Sequence, residues 1–285
     1  MCKCFFVSDI HGKVHRYEKL FNQIKINNPE IIFIGGDILP LNNSTKYKDR
    51  FFNDFLNDYL IKKFIQLKED LKDLYPEVFL IFGNDDPKIY EKDILEAEKL
   101  GIWHYLNQRK YKYKDYCFYG YSYVPPTPFL LKDWEKFDVS GFIDVGCISP
   151  MEGQRSVEPE HDIKYSYIKD DIDLLIGGDD LKNAVFLFHS PPYQTNLDRA
   201  ALDGKMIDHA PLDVNVGSIA IKRFIEIKQP LLTLHGHVHE SSEITGFWND
   251  KIKKTFMFSA AYNYDDLAIV EFYLNNLENA KRKLI

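Results

Sequence analysis

Short apolar runs separated by polar and glycine-bearing segments recur along the chain, and their spacing predicts its elements. Lys3–Ser8 reads as a first strand. Tyr17, Leu20, Phe21 and Ile24 then fall at i, i+3, i+4, i+7 spacing, one face of a helix. Ile31–Ile34 and Val78–Phe82 are short and wholly apolar, as buried strands are. Between them, residues 42–74 read as an inserted helical segment in which Phe52, Phe55, Leu56, Tyr59 and Leu60 make one apolar face. Residues 88–100 predict another helix, closed by Gly101.

Over 103–150 the pattern changes to one rich in Tyr, Phe, Pro and Gly. Alternation in Cys117–Val124 suggests a hairpin or meander. Val124-Pro125-Pro126-Thr127-Pro128 is an extended loop, because each proline excludes its predecessor from the helical region. Residues 158–176 return to helical spacing, Ala184–Phe188 is a strand ending at His189, and Val216–Lys228 is an amphipathic helix. Leu231–Leu234 is a strand running into His235-Gly236-His237, and Ser242–Phe247, Thr255–Ser259 and Ala268–Tyr273 read as closing strands. Strands alternate with helices early and follow one another late. That order predicts an α/β fold of two packed mixed sheets with helices outside. With no repeat or linker, residues 1–285 read as one domain with a helical insertion near 42–74 and a cap near 103–165.

With 45% hydrophobic residues in 285, the chain can bury a large core. A net charge of -7 argues against an extended nucleic-acid track. It leaves room for a small phosphoester substrate, since bound cations invert the local potential. Cys2, Cys4, Cys117 and Cys147 lack zinc-finger spacing and read as free thiols. No run approaches the ~20 apolar residues of a membrane span, and no signal peptide is visible. The expectation is a cytoplasmic protein without a membrane partner, with homo-oligomerisation left open.

Five blocks carry the chemistry: Asp9-Ile10-His11-Gly12, Gly35-Gly36-Asp37, Gly83-Asn84-Asp85-Asp86, His189-Ser190-Pro191-Pro192 and Gly236-His237-Val238-His239. They supply carboxylate, amide and imidazole donors of the kind that hold Zn, Mn, Fe, Co or Ni. Most follow an apolar run and so lie beyond the C-terminal ends of strands, where ligand sites gather in layered α/β proteins. A lone Asp-x-His is common, and Gly-Asn-Asp-Asp alone reads as a turn. The signal is all five in order, which gives seven candidate ligands: Asp9, His11, Asp37, Asn84, His189, His237 and His239. Seven are enough for two divalent ions about 3.5–4 Å apart.

In this order the blocks resemble the calcineurin-like metallophosphoesterase superfamily from Asp9 to His239. The stretches Val124–Phe129, Lys132–Ser140, His189–Arg199 and Val216–Ser218 resemble a microbial branch of it. The resemblance implies a four-layer αββα sandwich of two mixed β-sheets with flanking helices. It implies that Asp9, His11 and His239 hold one metal, that Asn84, His189 and His237 hold the other, and that Asp37 bridges. The two divalent ions would be Mn, Fe, Zn, Ni or Co. The implied activity is hydrolysis of a phosphoester, a phosphodiester before a monoester, by a metal-bridging hydroxide.

The fourth block departs from the family, which reads Gly-Asn-His-Asp or Gly-Asn-His-Glu where this chain has Asp85 and then Asp86. The family's histidine near the leaving group has no counterpart. Asp85 could serve as an acid of raised pKa. Alternatively His235, His161 or His209 reaches in, or no dedicated acid exists. We take the last reading, or a water-mediated version of it, because a general acid is worth only ~10²–10⁴-fold. Asp86 is a second catalytic candidate. Arg199 is the leading substrate-contact candidate, with Tyr121, Tyr123, Trp134, Arg155 and Tyr193 behind it. A nuclease or cyclic-nucleotide phosphodiesterase is the alternative enzyme, and a metal-binding scaffold or pseudo-phosphatase the alternative of another class. A binuclear peptidase fits the ordered blocks less well.

Overall fold

The computed structural model describes residues 2–41, 54–160 and 162–285, so Phe52 and His161 lie outside the described residues. Along the chain, β1 (Lys3–Val7) leads to α1 (Val14–Asn27), β2 (Ile31–Gly35), α2 (Ile61–Leu71) and β3 (Glu77–Ile81). Then come α3 (Glu91–Glu98), β4 (His104–Tyr105), β5 (Arg109–Tyr113), β6 (Tyr116–Tyr121), α4 (Ile168–Ile176) and β7 (Ala184–Phe188). A small hairpin of β8 (Met206–Ile207) and β9 (Ala210–Pro211) precedes α5 (Ile219–Lys228) and β10 (Leu232–His235). The chain ends with α6 (Ser241–Thr245), β11 (Asn249–Ile252), β12 (Thr255–Ser259), β13 (Ala268–Tyr273) and β14 (Asn276–Leu284).

These strands build two six-stranded sheets, ordered β14-β13-β1-β2-β3-β4 and β11-β12-β10-β7-β6-β5. Each sheet combines parallel and antiparallel pairs, so both are mixed. Alternate residues of each strand face opposite ways, which gives every central strand two buried faces. Phe6, Phe33, Phe79 and Phe272 from the first sheet meet Phe118, Leu187, Leu234 and Phe258 from the second. Phe33 anchors that seam: its ring stands edge-on to Phe118 at 5.1 Å and stacks on Phe79 at 5.7 Å. The outward faces pack under helices, Val7, Ile32 and Leu80 with Tyr17, Leu20 and Phe64, and Phe186 and Phe188 with Ile172, Ile221 and Phe224. The result is the pair of packed mixed sheets with helices outside that the strand pattern predicts, in the αββα order that the resemblance implies. No described helix is long and apolar enough to cross a membrane.

Several expectations are corrected. Residues 242–247 are not a strand. Ser241–Thr245 is helical, with Ile244 N–H on the Glu240 carbonyl at 3.0 Å, and Gly246 at φ +78° ends it. The apolar residues there, Ile244 and Phe247, are exposed, so no core selects a strand. The helix expected over 158–176 begins only at Ile168, after a 3₁₀ turn at Ile163–Tyr165. The expected insertion over 42–74 is helical in its described part, with a π-helical turn at Leu56–Leu60 running into α2. The stretch expected as a cap over 103–165 is not separate throughout. Its first third supplies β4, β5 and β6 to the two sheets.

The remainder is irregular chain fastened by buried side chains. Lys132 and Glu135 form a fully buried ion pair at 2.6 Å. The Asp138 carboxylate accepts the Ile219 N–H at 2.6 Å and the Ser218 hydroxyl at 2.6 Å, fastening this segment to the start of α5. Replacing Phe33 tests the seam between the sheets. Phe33→Ala is expected to lose about 3–5 kcal/mol of unfolding free energy in urea, because the cavity opens between two sheets that cannot close over it.

Candidate metal centre

The C-terminal ends of β1, β2 and β3 in one sheet and of β7 and β10 in the other open onto the same edge. Each is followed by one of the five blocks. The turns are sharp. Asp9, His11, Asp37 and His237 all have positive φ, at 54°, 51°, 51° and 72°. Non-glycine residues rarely take this conformation, and Asp and His are among those that tolerate it. Backbone hydrogen bonds impose it: Asp9 N–H donates to Gly36 O at 3.0 Å, His11 N–H to Asp37 O at 2.8 Å and Gly236 N–H to His189 O at 2.9 Å. Gly83 leaves room that the site uses, since a Cβ there would lie 2.3 Å from Asp37 Oδ1 and 2.5 Å from His189 Cε1.

One donor atom from each of Asp9, His11, Asp37 and His239 lies within 4.8 Å of the others. His11 Nε2 and His239 Nε2 are 3.1 Å apart, and His239 Nε2 is 3.2 Å from Asp9 Oδ1. A second group adjoins the first. His189 Nε2 lies 3.1 Å from Asn84 Oδ1 and 3.3 Å from Asp37 Oδ2. That same Asp37 Oδ2 is 3.8 Å from His11 Nε2, so one oxygen faces both groups. Asp37 Oδ1 is occupied by the Asp85 N–H at 2.9 Å. His237 donates its backbone N–H to Asp9 Oδ1 at 3.0 Å, and its ring stands 5.3 Å from that of His189. All seven sequence-derived candidates are therefore gathered at one sheet edge.

The charges explain what the site wants. Burial alone would raise Asp9 and Asp37, but imidazole partners hold both carboxyls below their ordinary range. Burial alone would lower His189, yet Asp37 and Asp9 outweigh it and push the imidazole up to about 10. Burial holds His11 down at about 4 and His237 at about 3, so these two present neutral lone pairs. His189 Nδ1 lies 2.8 Å from the Gly35 carbonyl and donates to it, which points Nε2 at Asn84 and Asp37. Carboxylates that draw positive charge this strongly, beside neutral imidazoles, call for a cation, and a metal ion would take the place of the proton on His189. Asp9 Oδ2 and His11 Nδ1 are also buried without a hydrogen-bond partner among the described residues. The donor set fits divalent metals of the Mn, Fe, Zn, Co and Ni group.

The other candidates sort differently. Asp85 lies at the cleft, its Oδ2 3.8 Å from His11 Nδ1, and burial with the Asp37 charge pushes its carboxyl up to about 7. Asp86, a catalytic candidate from sequence, instead organises the loops. Its fully buried carboxylate accepts the N–H groups of Ile38, Leu39 and Gly83 at 2.7–3.1 Å. Arg199 is engaged locally, with its guanidinium on the Ala200 carbonyl at 2.9 Å and the Asp203 carboxylate at 2.5 Å. Tyr121, Trp134, Tyr193 and Arg155 are likewise engaged with Asp171, the Asp86 carbonyl, Asp213 and the Pro150 carbonyl. Tyr123 is buried. His235 is a core residue held by the Ser190 carbonyl and the Thr233 hydroxyl, and burial lowers it to about 4. His209 is exposed beside the β8–β9 turn. No described histidine replaces the one that the family carries at position 85.

Sequence reasoning missed Arg16. It is buried in α1 and donates to the Asp9 carbonyl at 2.7 Å. It also reaches the carbonyls of Tyr262, Tyr264 and Asp265. A charged residue on the apolar side of a helix was the available signal. Beside the centre opens a cleft of about 170 Å³ lined by His11, Asp85 and His239 of the centre together with Lys13, Arg16, Leu41, Tyr262 and Asn263.

Comparisons with known proteins bear on the family and the fold. The model of the calcineurin-like phosphoesterase family matches residues 3–241. No curated protein matches the chain. Among solved structures, the TT1561 protein of Thermus thermophilus is similar at 13% identity and a TM-score of 0.57, covering 99% of this chain and 98% of that one. A dimetal phosphatase from Danio rerio is similar at 11% identity and a TM-score of 0.50, covering 94% of each chain. At such identities the likeness is one of fold.

Two outcomes test the architecture of the centre. Asp86→Ala strands several buried backbone N–H groups and is expected to cost about 3 kcal/mol in urea unfolding, where a merely exposed acid would cost under ~0.5. Manganese added to chelator-stripped protein at about a hundredfold its Kd is expected to raise the Tm by roughly 4–5 °C for each site filled, and Asp9→Asn should lose most of that rise.

Proposed function

The chain belongs to the calcineurin-like phosphoesterase family, and from that premise we propose that it hydrolyses a small phosphodiester at this centre. The observation that carries the reading is the single oxygen, Asp37 Oδ2, set 3.8 Å from His11 Nε2 and 3.3 Å from His189 Nε2. In this proposal Asp9, His11 and His239 hold one divalent ion, Asn84, His189 and His237 hold the other, and Asp37 is shared. When bound, such ions act as Lewis acids on phosphoryl oxygens and lower the pKa of water from 15.7 toward ~7.

The chain's own groups prepare that chemistry. The Asp85 N–H fixes Asp37 Oδ1 and leaves Oδ2 to be shared. The Gly35 carbonyl orients the His189 ring, and the His237 N–H orients the Asp9 carboxylate. This preorganisation spares the site reorganisation as charge develops on the phosphoryl group. Asp85 lines the cleft as a carboxyl, so a monoester dianion meets one more unit of repulsion than a diester monoanion. This supports the diester preference. A carboxyl near 7 is partly protonated at neutral pH, but divalent cations beside it would draw it down. Asp85 is therefore assigned a small role as acid and a larger one in substrate selection.

With Mn, Co, Ni or Fe(II) present, a nitrophenyl phosphodiester is expected to exceed the corresponding monoester in kcat/KM by about tenfold. Asp85→Asn should narrow that ratio toward unity. Asp85→Ala should lower diester turnover by less than about tenfold, against at least ~10³-fold for Asp37→Ala or His239→Ala. Equal losses in all three would reject the assignment. Metal binding with no hydrolysis of either ester would favour the scaffold.

A further inference from the structure

The cleft has a second wall that phosphoester hydrolysis by itself does not require. Lys13, Leu41, Tyr262 and Asn263 form it and share the cleft with His11, Asp85 and His239. Leu41 is 40% exposed, so an apolar side chain faces the opening. Tyr262 is half-buried and braced: the Arg282 guanidinium lies 5.2 Å from its ring centre, and the Tyr264 ring 5.5 Å away at 60°. Asn263 is exposed and brings an amide that can donate and accept at once.

The wall is also registered to the chemistry. Arg16 donates to the Asp9 carbonyl and to the carbonyls of Tyr262, Tyr264 and Asp265, so one buried guanidinium spans the metal-ligand turn and the Tyr262 loop. A ligand seated against Tyr262 is thereby held at a fixed offset from the centre. Lys13 lines the same cleft, its ammonium 3.4 Å from the Asp265 carboxylate.

We propose that Tyr262, Asn263 and Leu41 form a subsite for the base of a nucleoside phosphoester, with Lys13 beside its sugar-phosphate. The inference rests on the phosphoesterase reading and names the substrate class within it. A ring offers a stacking face to any base, and the amide can read a base edge. A sugar phosphate would set hydroxyls against Leu41 and Tyr262. A lipid ester would need a wider apolar surface than these two residues give. About 170 Å³ is below the 300–1,000 Å³ of clefts that enclose a drug-sized ligand. That size suits one ring system, and the net charge of -7 disfavours a long strand.

Equilibrium dialysis of the full chain loaded with Mn²⁺ tests this without relying on turnover. Adenosine 5′-monophosphate is expected to bind at least about tenfold tighter than ribose 5-phosphate. Tyr262→Ala should reduce that ratio below about threefold, while Tyr262→Phe should keep it, because the ring stacks without its hydroxyl. If the alanine variant unfolds, Tyr262→Leu supplies the same comparison with bulk retained. A ratio under about threefold in the native protein, or one indifferent to loss of the ring, overturns the subsite. The two readings separate cleanly. Base preference with no phosphoester hydrolysed would sink the hydrolase and leave the subsite standing, and hydrolysis without base preference would do the reverse.

Discussion

Two carboxylates buried side by side set the terms for this molecule. Asp9 and Asp37 are almost wholly removed from water, at 0% and 2% exposure, and both belong to the same cluster of donor atoms. Burying such charge is costly unless positive charge comes to meet it. Imidazoles from the second sheet answer from one side, and the cations that the donor set fits would complete the balance. The sandwich makes this meeting feasible. Each sheet alone brings only part of the set, Asp9, His11, Asp37 and Asn84 from one and His189, His237 and His239 from the other. The aromatic seam of Phe33, Phe79 and Phe118 holds the two edges in register.

Local conformation contributes as much as the layers do. A regular strand end would aim successive side chains to opposite faces. Positive φ at Asp9, His11, Asp37 and His237 turns these residues inward instead. Such strain persists only where surrounding bonds over-determine it. Here those bonds are the loop-to-loop backbone contacts, the Asp86 carboxylate that gathers Ile38, Leu39 and Gly83, and Arg16 behind Asp9. Asp86 and Arg16 thus act on the centre through the backbone.

The sequence made the central strands legible because residues buried on both faces read as unbroken apolar runs, as in Ile31–Ile34 and Ala184–Phe188. It hid the polar edge strands, Asn249–Ile252 and Asn276–Leu284, whose exposed residues resemble loop. The seven donors were legible from order and position after strands. The roles of Asp86 and Arg199 were not, because a conspicuous charge in a motif can serve backbone geometry or a local turn as well as chemistry. The irregular chain after Tyr121 was opaque for a related reason: it is held by particular contacts, such as Lys132 with Glu135 and Asp138 with Ser218, that no periodicity announces.

The account stands on two cations sharing Asp37. Metal analysis of the protein, saturated with manganese and then freed of unbound ion, addresses that directly. The account predicts two equivalents per chain in the native protein and one or fewer in Asp37→Ala. A native protein that retains no metal, or an Asp37→Ala variant that still retains two equivalents, would contradict it.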